Sequence, residues 1–370
     1  MSIQTYLINL SDNKQYRLNG IIPSLRLPNK EQLRKYFSNH IRLKSDQLPP
    51  KVDLRSEMTA VEDQSTTCCW CLRRLKSDQL PPKVDLRSEM TAVEDQSTTC
   101  CCTAIALAGA YEYLLKKRCG RDIDVSRLFM YYNGRAKKNE DIIKDTGCSM
   151  THIIEALEES GTCLESLWPY DIPSVDVKPN KQAYEQAKNH KITSAFKLNF
   201  DLNEMKTCLA QGFPFAFGIH LYKSFNKATT CGVVPQPTAD EQARDKHASH
   251  AMLAVGYSDQ SQAFICRNSW GNSWGDQGYC YISYNYIANS DFCFDAWAIR
   301  EYETNDMGHD NWDNDDSTDY INRNGNDDIN DNEDRHEIRD IKVDENDISG
   351  KDGVIDDNNG TSITSSSSYN

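Results

Sequence analysis

The 370-residue sequence predicts an α+β fold, a helical half followed by a β half. Two textures predict it. From about residue 100 to 190, apolar residues recur at helical spacings of three and four. From about residue 191 to 303, short aromatic-rich runs are broken by Gly and Asn, as in strands. Beyond residue 303 the composition turns to Asn, Asp and Ser and holds too little apolar surface for a core.

Along the chain, residues 1–41 form an N-terminal extension. It is short and lacks a long helical segment, although "LNGIIPSLRLPN" carries apolar residues able to pack on a domain. Residues 42–69 are then repeated without change as residues 74–101. A single perfect repeat does not fit a solenoid, which needs several stacked units. Residues 42–73 are therefore read as a duplicated insertion.

After the second copy, Ile105, Leu107, Ala108, Tyr111, Leu114 and Leu115 mark a helix from Thr103 to Lys117. Glu94 and Asp95 precede it, Lys116, Lys117 and Arg118 close it, and Gly120 lies just beyond. That polarity suits the helix dipole and a glycine C-cap. A second helix is expected from Thr151 to about Glu159, and "NKQAYEQAKNH" predicts a third. "FPFAFGIHL", "HAMLAVGY", "AFICRNSW" and "GYCYISYNYI" read as strands. The expected domain runs over residues 74–303, followed by a disordered acidic tail at 304–370.

The tail carries 19 acids and 5 bases, which accounts for the whole net charge of −14. The remainder is balanced, so nucleic-acid binding, which needs clustered excess base, is not expected. No apolar run is long enough to cross a bilayer, and the first residues lack a basic and apolar signal pattern. The expected setting is cytoplasmic, with the 14 cysteines as reduced thiols and the chain a monomer. "ENDISGKDGVID" resembles a calcium loop only loosely and is read as solvated tail. Cys68, Cys69, Cys71, Cys100 and Cys101 lack the paired C-x-x-C spacing of zinc sites. No metal or cofactor is expected.

A cysteine at a helix N-terminus has the means to hold a thiolate, and only the second repeat copy runs into a helix. A nucleophile also needs a base, and the base an orienting group. "SHAMLAVGY" offers His250 at a strand start. "RNSWGNSWGDQGY" offers Asn268 to orient an imidazole and Trp270 to shield that bond from water.

The blocks "PPKVDLRSEMTAVEDQSTTCCCTA", "SHAMLAVGY" and "RNSWGNSWGDQGY" together resemble papain-like cysteine peptidases, closest to the bacterial and viral-type branch in which Thr follows the nucleophile. The likeness covers roughly residues 80–300 and extends to "SRLFMYYNGR" and "LESLWPYD". It implies a two-part fold with a helical half, a β-barrel-like half and a cleft between them. The family sets a glutamine six residues before its nucleophile, which by carry-over makes Cys102 the nucleophile and Gln96 the oxyanion-hole donor. His250 becomes general base and acid, and Asn268 holds its ring. Gly147, Ser149, Met150 and Ser249 are expected along the substrate cleft. For Gly147 and Ser149, an unusual backbone angle and a helix cap are equally good readings.

The implied activity is hydrolysis of proteins or peptides through a thioester acyl-enzyme. The sequence departs from the family at Ser97, Cys100 and Cys101, where glycine, glycine and serine are usual. Two alternatives follow from those departures and from the insertion: a peptide-binding pseudoenzyme, and a Cys-His-Asn acyltransferase. His152, His220 and His247 are read as structural or surface residues.

Overall fold

The computed structural model describes residues 6–8, 14–24, 26–40, 80–138, 142–243 and 248–303. The first repeat copy, His247 and the acidic tail with its calcium-like segment lie outside the described residues.

The chain opens with an antiparallel pair, β1 (Tyr6–Ile8) and β2 (Gln15–Arg17). It continues through β3 (Lys35–Tyr36) and α1 (Phe37–His40). After the repeat come β4 (Lys83–Asp85), α2 (Cys102–Cys119), α3 (Arg127–Ala136), α4 (Met150–Glu159) and α5 (Lys181–Ala187). The β half holds β5 (Ile192–Leu198), α6 (Leu202–Ala210), β6 (Phe215–Leu221), β7 (Val233–Val234) and α7 (Ala239–Gln242). It ends with β8 (Ala248–Ser258), β9 (Ala263–Arg267), β10 (Tyr279–Ser283), α8 (Tyr284–Ile287) and β11 (Cys293–Tyr302).

Nine strands share one mixed sheet in the order β3-β5-β11-β6-β8-β9-β10-β7, with β4 paired to β8. The α+β class is as expected, but the β half is an open sheet rather than a closed barrel. Its path ends on β3 and β7, two-residue strands that join in parallel and are too short to carry a further ladder. Strands also precede the helices: β3 and β4, from before α2, complete the sheet.

Local chemistry starts and stops most helices. Ser126 Oγ accepts from Phe129 N–H, Ser149 Oγ from His152 N–H and Asn180 Oδ1 from Ala183 N–H. Thr238 and Glu241 form a capping box. α2 differs: no side chain caps its first turn, and Gly120 closes it in the left-handed conformation at φ 71°.

The centre of the fold is α2. Every residue from Cys102 to Leu115 is buried, so only its last turn meets solvent. It packs on β6, β8 and β11 on one side and on α3 and α4 on the other. The run of Ala104, Ala106, Ala108, Gly109 and Ala110 lets these neighbours approach closely. Behind it, buried Arg267 donates to Thr91 O at 3.2 Å and to Ala92 O. Glu112 accepts from Thr91 Oγ1 at 2.6 Å and Val125 N–H at 3.1 Å. Burial pushes the Glu112 carboxyl up to about 7, against the pull of Arg267. This network pins the strand-like stretch that leads into α2.

Ala108→Leu tests the small-residue packing. Alanine and leucine differ little in helix propensity, so overpacking decides the sign. The substitution is expected to destabilise the fold by about 1–3 kcal/mol, read as a lower thermal midpoint. An unchanged midpoint would mean that the groove around α2 is slack.

Candidate active site

Two element starts build the site. α2 begins at Cys102, and β8 carries His250 three positions into its eleven residues. Asn268 follows directly on β9, which pairs with β8. Its backbone N–H donates to Gly278 O at 2.9 Å, so the ladder fixes its position.

His250 Nε2 and Asn268 Oδ1 lie 2.8 Å apart, and Oδ1 also accepts from Ser269 N–H at 2.8 Å. That second bond fixes the amide orientation, so Nε2 is the protonated nitrogen. Among the described residues Nδ1 has no hydrogen-bond partner. Trp270 stacks on the imidazole at 4.7 Å between ring centres. It is held edge-on by Trp274 at 5.1 Å and Phe225 at 5.9 Å. His250 and Trp270 have no exposed surface. Burial lowers the imidazole to about 4, and the Asn268 bond opposes this only in part.

Cys102 is also fully buried. The backbone amide of Ala251, the residue after His250, favours its thiolate. Burial pushes its thiol well above the ordinary range. Cys100 and Cys101 are raised too, to about 11 and about 12, mainly by burial. Cys101 is held among Thr99 Oγ1 at 2.8 Å and Tyr170 Oη at 3.0 Å. In the structure as it stands, thiol and imidazole are therefore both neutral.

Gln96 is buried with its amide fixed at both ends. Oε1 accepts from Ser269 Oγ at 2.7 Å, while Nε2 donates to Thr99 O and Arg17 O, each at 2.9 Å. Arg17 belongs to the N-terminal extension, which covers the site. Asn19 N–H donates to Ser249 O at 2.7 Å, and Ser249 N–H returns a bond to Asn19 Oδ1 at 2.8 Å. Cys148 N–H donates to Gly20 O at 2.9 Å, and Ile22 N–H to Cys148 O at 3.1 Å. Gly20 crosses directly over the thiol. A Cβ there would stand 2.7 Å from Cys102 Sγ and 2.4 Å from Cys100 O, closer than real Cβ atoms come. Tyr16 stacks on Trp270 from the side of this strap, at 5.0 Å.

Ion pairs tie the strap down along its length. Lys14 meets Asp95, Arg17 meets Asp145 at 3.2 Å, and Arg26 meets Glu155 at 2.6 Å. Buried Asp295 accepts from Ser24 N–H at 2.7 Å.

The expected cleft residues divide by role. Ser249 bonds the strap twice, its N–H donating to the Asn19 side-chain oxygen and its hydroxyl to Ile21 O. Gly147 has φ 82° and lies against Gly20 O, so its backbone angle and its place beside the strap coexist. Ser149 caps α4, and Met150 is buried at its first position. Tyr16, Asn19, Gly20 and Ser269 escaped the sequence reading. The only local signal was the Asn-Gly step ahead of two isoleucines, which reads as a turn. Among the described residues no helix is long and apolar enough to cross a membrane.

Residues 80–294 match the model of the papain family of cysteine proteases. The chain is 36% identical over 211 residues to an uncharacterized peptidase C1-like protein of Acanthamoeba polyphaga mimivirus, covering 54% of this chain and 67% of that one. It is 27% identical over 193 residues to mouse cathepsin S, covering 50% of this chain and 52% of the cathepsin. Among solved structures, xylellain, a cysteine protease from Xylella fastidiosa, superposes with a TM-score of 0.54 at 31% identity. That match covers 75% of this chain and 99% of xylellain. The chain thus spans two thirds of its viral relative and about half of the cathepsin.

Gly20→Val is expected to unseat the strap, because only a hydrogen fits between Cys100 O and Cys102 Sγ. Alkylation of Cys102, followed by peptide mass mapping at neutral pH, should then run at least about tenfold faster than in the unaltered chain, one decade being 1.4 kcal/mol of seating free energy. Equal rates would mean that the strap does not shield the thiol.

A second expectation concerns pH. The covered state holds His250 near 4, whereas a hydrated imidazole titrates near its ordinary 6.5. In a Cys102→Ala chain, where no thiol shares the proton, the covered state therefore binds fewer protons between those values and loses ground as pH falls through that window. Amide-exchange protection of Asn19 and Ile22 in that chain, corrected for intrinsic rates, should fall between pH 6.5 and 4. Constant protection would contradict this.

Proposed function

The chain belongs to the papain family of cysteine proteases, and from that premise we propose that it is a cysteine peptidase hydrolysing peptide bonds in proteins or peptides through Cys102, His250 and Asn268. One observation supports the reading above the others. His250 has one nitrogen bonded to Asn268 beneath Trp270, and among the described residues its other nitrogen has no partner. An imidazole held in this way is oriented to take a proton at Nδ1 and nowhere else.

The chemistry requires the strap to leave first. With Gly20 removed, water and substrate reach the thiol, and the desolvation that holds both groups neutral is relieved. The proton then passes from Cys102 Sγ to His250 Nδ1, giving a thiolate and an imidazolium. The first-turn amides of α2 favour the thiolate, since no side chain caps them. The thiolate attacks the scissile carbonyl carbon. Gln96 Nε2, released from Arg17 O, and the backbone N–H of Cys102 receive the developing oxyanion. Imidazolium protonates the leaving amine, and a thioester remains on Cys102. His250 then draws a proton from water, which attacks the thioester and frees the second product. Asn268 holds the ring in one tautomer through both halves.

Strap and oxyanion compete for one donor, because Gln96 Nε2 cannot serve Arg17 O and a substrate oxygen together. The covered state is thus inactive twice over, by exclusion of substrate and by capture of the donor.

The test is hydrolysis of a mixed peptide library by the full chain, with an epoxide-type thiol inhibitor as a site label. Cys102→Ala should abolish turnover, a loss of roughly a thousandfold or more, and the label should map to Cys102. Asn268→Ala should lower kcat more than it raises KM. Activity that survives Cys102→Ala, with labelling at Cys100 or Cys101, would overturn the assignment. Intact folding with no turnover in either the unaltered or the Gly20→Val chain would point to a binding protein. Exclusive transfer of the acyl group to an added amine would point to an acyltransferase.

A further inference from the structure

Three buried thiols lie outside the site, on the strands behind it: Cys266 on β9, Cys280 on β10 and Cys293 on β11. Cys266 and Cys280 are direct cross-strand partners in the antiparallel β9–β10 ladder. The register is anchored by the Asn268 N–H bond to Gly278 O at 2.9 Å. That bond makes the Asn268–Gly278 pair a hydrogen-bonded one, and alternation along the ladder makes Cys266–Cys280 one too. Opposed residues of this kind have Cα atoms about 5.5 Å apart and side chains on the same face, which falls inside the range spanned by disulfides. The Cys280 thiol raises the Cys266 thiol further, beyond the effect of burial. Cys293 donates to Tyr286 O at 3.7 Å.

From this juxtaposition we infer that Cys266 and Cys280 are a disulfide-forming pair that staples the neck of the loop carrying Asn268, Trp270 and Trp274. The inference goes beyond the peptidase reading and does not depend on it. The loop is the part of the site with the least regular backbone, since Gly271, Gly275, Gln277 and Gly278 all have positive φ. A chain of that kind gives up much conformational freedom on folding. A cross-link between Cys266 and Cys280 removes some of that freedom from the unfolded state. It also ties the strand that precedes Asn268 to the strand that returns from it.

The oxidant is a low-molecular-weight disulfide such as oxidised glutathione. One thiolate attacks it, forming a mixed disulfide and expelling one glutathione thiolate. The second protein thiolate attacks the protein sulfur of that mixed disulfide and expels the other. The two expelled thiolates take up the two protons that the cysteines lose, so two glutathiones are reduced for each bond made. Both cysteines are fully buried, and burial holds the Cys266 thiol protonated. The step therefore belongs to the loop-open chain, during folding or close to the thermal midpoint. In a reducing medium the pair remains a dithiol.

The full chain is warmed to just below its thermal midpoint with oxidised glutathione, cooled, and digested without reductant. The expected product joins the peptide containing Cys266 to the peptide containing Cys280, two hydrogens lighter than the pair. The thermal midpoint of this material should rise by about 5–10 °C and fall back on reduction. The rise should be missing in Cys280→Ser and in Cys266→Ser, each of which keeps a side chain of nearly the same shape. The cross-link is read in the unaltered chain, so a variant that fails to fold does not affect that result. Cys266 recovered as a free thiol or as a glutathione adduct after full exposure would overturn the inference, as would its recovery linked to Cys293.

Discussion

The seating of α2 against the start of β8 is the constraint on which the rest depends. Cys102 is the first residue of a helix buried from its start through Leu115, and the amide next to His250 favours its thiolate. Neither group reaches the other through flexible loops. The helix is held by small residues on its flanks and by the buried Arg267 and Glu112 network behind it. Two backbone ladders then complete the set, since β8 carries His250 and its partner β9 leads into Asn268. A geometry carried by main-chain hydrogen bonds and close packing is rigid, as orientation of an imidazole requires.

Desolvation decides the electrostatics of the covered site. Helix amides and the Asn268 bond both favour the charged forms, yet the thiol lies far above its usual range and the imidazole below its own. Removing an ion pair from water costs several kcal/mol per ion, more than one hydrogen bond returns. The strap is the source of that cost. It fills the cleft with backbone and stacks Tyr16 on Trp270. With the strap in place, Cys102 and His250 are both held uncharged.

Much of the site was legible in the sequence because its residues act through local patterns. Gln96 six residues before Cys102, a helix of matching polarity and the block around Asn268 are all short-range signals. That "LNGIIPSLRLPN" can pack on a domain was legible, but its course over Cys102 was not. The strap's hold on the domain combines backbone bonds to Ser97, Cys148 and Ser249, which require no particular side chains, with ion pairs between residues far apart in sequence, and neither leaves a periodicity. Gly20 reads locally as a turn, and only the tertiary contact with Cys102 gives it meaning. α3 was missed as a helix because Phe129, Tyr131, Tyr132, Asn133 and Gly134 are weak helix formers and mask its apolar face. The cross-strand thiols were hidden for a related reason. Cys266 and Cys280 are far apart in sequence and become neighbours only through the β9–β10 register.

The central claim is that Cys102 forms the covalent bond to substrate. The most direct measurement is an intact-mass and peptide-map analysis of the full-length Gly20→Val chain, quenched in acid shortly after mixing with a reactive peptide ester. The account predicts an acyl adduct confined to Cys102, which builds up and then disappears as free acid is released. An adduct on Cys100 or Cys101, or ester consumption with no adduct on any cysteine, would contradict it.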